Sequence, residues 1–484
     1  MRTRERTRLG IVAIAVMALS AAGGGGVAAN GDSGAPVTLK LGTYNGSGSP
    51  TGAQIDEFAA SVTTISNGDL TIEPQWELKS DDPTASLSGH VFDGLKDGSL
   101  DMIVMGARFF DQVGVTSFDA LQTPFLIDSD GLMNAVASDA DLSKQLLDGA
   151  AKGGMVGLAL LPEGLRHLTS FKAPFLSLAD LSGATVLSIP AELPDALIRA
   201  LGATPSGLLG QERSDAIVSG SVDGIDYSYP WLLSGALGVM GTTTGNVTTY
   251  AGYNVIAVSQ DAWNRLSDSQ RDSLRNAAAA TMEQLIASNP TDAALASAYC
   301  TAGGSVVLAG SSDVDALTGA AAPVTATLVA DPVSKAAIDR IGALKEAAGP
   351  AAAPTACEPS AGSSPEPSGS LATLPPNGSY RAETTVQQLL DAGASIGYAN
   401  DNAGVTTITF KDGMLALQWA TDLHLCQAEL TLKGDVIHLH WRSGCVGDVD
   451  FQWQPTADGI RTIPVRTGIP ADRAGWDHVW QTVK

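Results

Sequence analysis

The chain of 484 residues predicts an α/β unit followed by a small mainly-β barrel or sandwich. Three observations carry this. Strand-like and helix-like runs alternate through the first two thirds of the chain. A segment rich in Ala, Pro, Ser and Gly, 346–374, interrupts them and offers almost nothing to bury, as linkers do. Beyond it, short strands come in pairs around Asp-Gly and Gly-Asp turns. Length alone allows two to four domains, and a hydrophobic content of 44% is enough for a sizeable core.

From the N-terminus, Arg2, Arg4, Arg6 and Arg8 precede the apolar run Leu9 to Ala22. That run is short for a membrane span and well sized for a signal-peptide core. Residues 1–29 are therefore expected to be a signal peptide, cleaved after Ala29, with Ala22 as a second candidate. No cysteine follows the run, which removes the usual bacterial lipid attachment; an uncleaved N-terminal tether is the alternative. No later segment looks transmembrane. The 28 basic against 51 acidic residues give a formal net charge of -23, which disfavours nucleic acid and anionic membrane surfaces as partners. An extracytoplasmic location, periplasm or cell surface, follows from the leader and agrees with the cysteines.

The α/β unit opens with a strand at Val37 to Thr43 and a helix that puts Ile55, Phe58, Ala59 and Val62 on one face. A strand at Leu70 to Leu78 follows, then a helix, a turn and a buried strand ending near Gly106. Further on, Gly183 to Pro205 reads as strand, Pro-containing turn and amphipathic helix. Such β-α-β alternation predicts mainly parallel sheets, with ligands gathered at the carboxyl ends of the strands.

In the last hundred residues the turns Asp412-Gly413, Gly434-Asp435 and Asp458-Gly459 separate strand pairs, and a helix is expected over 382–394. Trp419, Trp441, Trp453, Trp476 and Trp480 are wall or core residues of this β unit. The four cysteines, Cys300, Cys357, Cys426 and Cys445, show no CxxC spacing, so disulfides in an oxidising compartment are expected over metal ligation. Three pairings exist. Cys300 with Cys357 and Cys426 with Cys445 is favoured, because the second pair falls within the separate β unit.

No glycine-rich phosphate loop, GxSxG elbow, HExxH or paired-cysteine motif appears, so neither an enzyme nor a cofactor or metal site is expected. His438 and His440 share one strand face with His424 near in sequence, which reads as a solvated or packed strand face before a metal site. Asp223 and Asp226 read as turn chemistry around Val222-Asp223-Gly224.

The order of five segments then becomes informative: FDALQTPFLIDS (Phe118 to Ser129), GLRHLTS (Gly164 to Ser170), LADLSGATV, RALGATP and VSGSVDG. Together they resemble the solute-binding proteins of tripartite ATP-independent periplasmic (TRAP) transporters, over about Val37 to Ala348. The resemblance implies a two-lobed flytrap over 37–345, often braced by a long helix, here starting at Ser259. It implies delivery of a small organic molecule, such as an organic acid, to the membrane permease subunits of the transporter. The unit 375–484 would then be an appended β-rich domain.

The resemblance also assigns site residues. The family's carboxylate-clamping arginine falls on Leu187, its partner asparagine on Tyr227, and a common aromatic on Gly210. Arg166 matches the arginine of the family's GxR segment, and Arg108, after the strand ending near Gly106, is a second candidate cation. Tyr44, Tyr227, Tyr229 and Trp231 are expected to line the cleft. With Leu187 in place of the clamp, the expected ligand has an apolar portion and at most one acidic group. An exported sensor or interaction protein reusing the flytrap fold is the alternative.

Overall fold

A computed structural model describes residues 36–78, 88–235, 237, 239–349, 354–357, 373–386, 388, 404–419, 425–433, 436–443, 449–466 and 479–483. The expected leader over 1–29 lies outside them. Nine strands build the first unit: β1 Val37–Gly42, β2 Leu70–Gln75, β3 Met102–Gly106, β4 Met155–Ser170, β5 Thr185–Leu187, β6 Thr204–Ser206, β7 Gly224–Ser228, β8 Thr242–Ser259 and β9 Ser305–Val307. They form one sheet in the order β2-β1-β3-β8-β4-β7-β5-β6, with β9 on β8.

Two lobes hang on this sheet. β1, β2 and β3 pair in parallel at one end, and β5, β6 and β7 at the other. The centre departs from the expected parallel pattern. There β4, 16 residues long, and β8, 18 residues long, run antiparallel to each other through both lobes. They also pair antiparallel with β3 and β7. Local periodicity reports what a strand buries, not which neighbour it crosses, so this shared pair was not legible.

Ile55, Phe58 and Val62 are buried as the helical spacing requires, on helix Pro50–Ile65 against Leu39, Leu41, Met102 and Val104 of the first lobe. Ser49 caps that helix by accepting from Gly52 N–H, next to a proline at the first helical position. The brace expected from Ser259 is split. Ser259 caps a short helix, Gln260–Arg265; Leu266 is extended, and Ser267 then starts helix Asp268–Ser288 through a capping box with Gln270. The 21-residue second helix buries Leu274, Ala277, Ala278, Thr281 and Leu285.

Helix Pro332–Ala348 ends at Gly349, whose φ of 72° suits glycine. Cys357 exchanges two backbone hydrogen bonds with Val306 of β9, at 2.8 and 2.9 Å, and forms a disulfide with Cys300, as expected. Cys357 is therefore tied to the second lobe.

The C-terminal unit is a closed barrel, not a sandwich, of eight antiparallel strands. These are β10 Gly378–Thr384, β11 Gly404–Lys411, β12 Met414–Trp419, β13 Leu425–Lys433, β14 Val436–Ser443, β15 Asp450–Thr456, β16 Gly459–Arg466 and β17 Val479–Thr482, with β17 closing on β10. Asp412 and Gly413 take φ of 51° and 80°, the paired positive values of a tight hairpin turn. Gly434-Asp435 lies outside the described residues, although β13 and β14 pair on either side of it.

Tyr380, Phe410, Phe451, Trp453 and Trp480 fill the barrel interior. The indole N–H of Trp453 donates to the Thr373 carbonyl at 2.6 Å, and that of Trp480 to the Thr462 hydroxyl at 2.7 Å. Trp419 and Trp441 sit on β12 and β14; Trp476 lies outside the described residues. The helix expected over 382–394 is a strand at its start: Tyr380, Ala382 and Thr384 are buried while Arg381 and Glu383 are exposed, a period of two. Most of its remainder lies outside the described residues. Cys426 is disulfide-bonded, and Cys445, its expected partner, also lies outside them.

Candidate functional site

The carboxyl ends of β1, β3, β5 and β7 all lead into one region, where an open α/β sheet gathers ligands. Tyr44 follows β1, Arg108 follows β3, Leu187 ends β5, and Tyr227 on β7 runs into the short helix Tyr229–Leu233 that carries Trp231. The shared strands add Glu163 and Arg166 from β4 and Tyr250 from β8.

Arg108 donates to both oxygens of Glu163, at 2.6 and 3.2 Å, and the indole N–H of Trp231 donates to the same carboxylate at 2.9 Å. Arg108 belongs to the first lobe and Trp231 to the second, so Glu163 bridges them. Two glycines make room. A Cβ at Gly106 would lie 2.8 Å from the Arg108 guanidinium carbon, and one at Gly252 would lie 2.7 Å from Glu163 Oε2. Burial works to raise the Glu163 carboxyl, but the charge and hydrogen bonds of Arg108, aided by Arg166 and Trp231, hold it below its ordinary value. It stays ionised.

Arg166 is fully buried three residues along β4. Its Nε donates to Asp226 Oδ2 at 3.3 Å and its Nη2 to the Asp226 carbonyl, while Asp226 Oδ1 accepts from Thr249 Oγ1 at 2.7 Å. The guanidinium lies over the rings of Tyr227 and Tyr250, 5.4 and 5.2 Å from their centroids. Burial opposes its charge, but the Asp226 carboxylate beside it keeps it protonated. Arg166 Nη1, Arg108 Nε and the Tyr250 hydroxyl are buried without a hydrogen-bond partner among the described residues. A buried donor or acceptor without a partner is costly.

Tyr44 stands edge-on to Phe109 at 5.5 Å beside Arg108, and burial pushes its hydroxyl up to about 12 against the pull of that arginine. Tyr227 and Trp231 rings are 5.8 Å apart. Burial likewise raises the Tyr227 hydroxyl, and Arg213, on helix Gly210–Ser219, is the strongest opposing charge.

Of the residues expected from the sequence, Tyr44, Arg108, Arg166, Tyr227 and Trp231 thus come together. Leu187 packs in an apolar cluster with Ile225, Tyr227, Trp231 and Leu232, forming an apolar wall beside them. Gly210 is the first residue of its helix. Tyr229 turns elsewhere. Its ring lies 5.1 Å from His167, whose position next to Arg166 on β4 points it to the opposite face of the sheet. His167 Nδ1 meets the Val247 carbonyl at 3.0 Å and Nε2 meets both Asp292 oxygens at 3.1 Å.

Sequence reasoning missed Glu163, Asp226, Tyr250 and Arg213. A lone carboxylate in the apolar run before Gly164 was the available signal for Glu163. Asp226 was assigned to a turn. Asp223, just before β7, accepts from Thr185 N–H and Lys172, both distant in sequence, and Asp226 is a strand residue. His438 and His440 alternate with buried Ile437 and Leu439, so both point outward, and His438 pairs with Asp450 at 2.7 Å. Among the described residues no group of three or more His, Cys, Asp or Glu could hold a metal ion. His424 lies outside them.

Two α/β lobes that share a pair of crossing strands, with a buried arginine cluster at their junction, define a solute-binding fold. The chain belongs to the bacterial extracellular solute-binding protein family 7, whose model matches residues 41–330. It is a solute-binding protein of the TRAP type. It is 24% identical over 247 residues to the C4-dicarboxylate-binding periplasmic protein DctP of Rhodobacter capsulatus, covering 50% of this chain and 71% of that one. A TRAP periplasmic solute-binding protein of Ochrobactrum anthropi, solved with its C-terminus in the ligand-binding pocket, superposes with a TM-score of 0.55 at 25% identity, covering 64% of this chain and 95% of that one. The sugar acid binding protein of Advenella mimigardefordensis, solved with galactonate, gives 0.56 at 19% identity, covering 65% and 99%.

Proposed function

We propose that this chain captures a small organic acid outside the cytoplasm, at the junction of its two lobes, and presents it to the membrane permease of a TRAP transporter. The observation that carries this reading is Arg166: a fully buried cation over two aromatic rings, with Nη1 lacking a partner among the described residues. A ligand carboxylate oxygen supplies the missing acceptor through a charge-assisted hydrogen bond. Names of relatives that bind acids, a C4-dicarboxylate in one case and galactonate in another, support the class.

Tyr44, Arg108, Tyr227 and Trp231 form the remaining polar and aromatic surface, and Leu187 faces the ligand's apolar part. Because Asp226 already occupies two of the Arg166 donors and Leu187 stands at the family's clamp position, a single carboxylate is the most this end of the site holds. Export by removal of residues 1–29, and separate roles for 37–345 and 375–484 joined by 346–374, belong to the same proposal. A thermal-shift screen of the purified chain against organic acids, sugars, nucleosides and amino acids tests it, because a ligand specific to the folded state raises Tm. Acids are expected to be the hits. A screen in which only sugars, nucleosides or amino acids shift Tm overturns the proposal.

A further inference from the structure

We propose that Glu163 is a built-in stand-in for a ligand carboxylate, and that it restricts the site to hydroxylated monocarboxylates. The inference rests on the capture reading above and names the ligand class. Three features of the structure carry it. Glu163 holds both Nη groups of Arg108 and the Trp231 indole, joining the two lobes through one carboxylate. Both partners of the ion pair are buried, with side chains 2% exposed. The space for the pair exists because positions 106 and 252 lack a Cβ.

The consequence is electrostatic. Arg108 and Arg166 are balanced by Glu163 and Asp226, so these four groups sum to no net charge. A ligand carboxylate aimed at Arg108 would meet the ionised Glu163 beside it, and like charges at such range strongly oppose each other. A hydroxyl meets no such opposition. It accepts from Arg108 Nε, which is buried without a partner among the described residues, and it donates to a remaining lone pair of Glu163. Glu163 takes both terminal Nη groups of Arg108, whereas the Asp226 carboxylate reaches Arg166 only through Nε at 3.3 Å, its other oxygen being held by Thr249. The terminal Nη1 of Arg166, without a partner among the described residues, is thus the less opposed position, and the ligand places its one carboxylate there and its hydroxyls at Arg108 and Glu163.

The test uses calorimetry on the full chain with two matched pairs, galactonate against galactarate and glycerate against tartronate. Members of each pair differ in replacing a hydroxymethyl end by a second carboxylate. The wild-type protein is expected to bind at least one monoacid about 100-fold more tightly than its diacid partner. Glu163→Gln, which keeps the shape and one acceptor, is expected to narrow that ratio about 10-fold or more, chiefly by admitting the diacid. Equal wild-type affinity within both pairs overturns the inference, as does a folded Glu163→Gln protein with an unchanged ratio. If Glu163→Gln does not fold, Arg108→Met with Glu163→Leu, which removes the buried charge together with its partner, is titrated in its place, and an unchanged ratio there overturns the inference. Absence of binding by both monoacids also overturns it, whereas the capture reading falls only if no organic acid in the wider screen binds.

Discussion

Glu163 and Arg108 face each other from the shared strand β4 and the end of β3, paired at 2.6 and 3.2 Å with both side chains almost wholly withdrawn from solvent. Removing one partner strands a buried charge, which commonly costs about 3–5 kcal/mol, whereas removing both with apolar residues of similar volume is often nearly neutral. Arg108→Met is thus expected to lose stability on that scale, and Arg108→Met with Glu163→Leu to regain most of it. Urea denaturation of the three proteins checks this. Losses that simply add in the double variant would contradict it.

A second pair lies on the opposite face of β4. Burial works against a charged His167, but the charge and hydrogen bond of Asp292 outweigh it and raise the imidazole above its ordinary value. Both ring nitrogens face acceptors, as an imidazolium requires. A raised folded-state value means that the stabilisation is fully present below the unfolded value, about 6.5, and is lost as pH rises through the folded one. Stability of the wild-type chain relative to His167→Gln is therefore expected to be greatest below about pH 6.5 and to shrink toward alkaline pH. Denaturation curves from pH 5 to 9 read this out; a difference that grows with pH would contradict it.

The Cys300–Cys357 disulfide closes a separation of 57 residues and fixes Cys357 against β9. Loop-closure entropy for that length gives about 4 kcal/mol of stabilisation. Cys300→Ala with Cys357→Ala should lower the Tm of the two-lobed unit and make the chain after Ala348 a site of early proteolysis. Calorimetry and limited digestion check both. Unchanged Tm and digestion would show that the β9 hydrogen bonds alone hold the segment.

The barrel closes on itself through β10 and β17 around its own buried aromatic residues. A fragment from about Thr373 to Lys484 is expected to fold alone, with Cys426 and Cys445 joined. Circular dichroism and disulfide mapping by mass spectrometry test this; free thiols in a folded, oxidised fragment would contradict it.

Much of this architecture was legible because burial imposes periods on the sequence. Ile55, Phe58 and Val62 marked a helix face, and the Asp412-Gly413 turn marked a hairpin whose positive φ values those residues accept. The central crossing of β4 and β8 was not legible, since strand pairing is a long-range choice. At the site, the resemblance pointed to Arg166, but its partners Asp226, Thr249 and Tyr250 come from strands 60 or more residues away in sequence. Glu163 carried a local signal, a charge within an apolar run. Its meaning depended on Arg108 and Trp231, which only the fold brings to it.

Arg166 is the residue on which ligand capture turns, and one titration tests it most directly. Calorimetry compares the acid that gives the largest thermal shift on the wild-type chain and on Arg166→Gln, which removes the charge but keeps donors for Asp226. A charge-assisted hydrogen bond to a buried ligand is worth about 1.5–3 kcal/mol, so a loss of about 10- to 150-fold in affinity is predicted, with one ligand bound per chain. A folded Arg166→Gln protein that binds the same acid as tightly as the wild type would contradict the account.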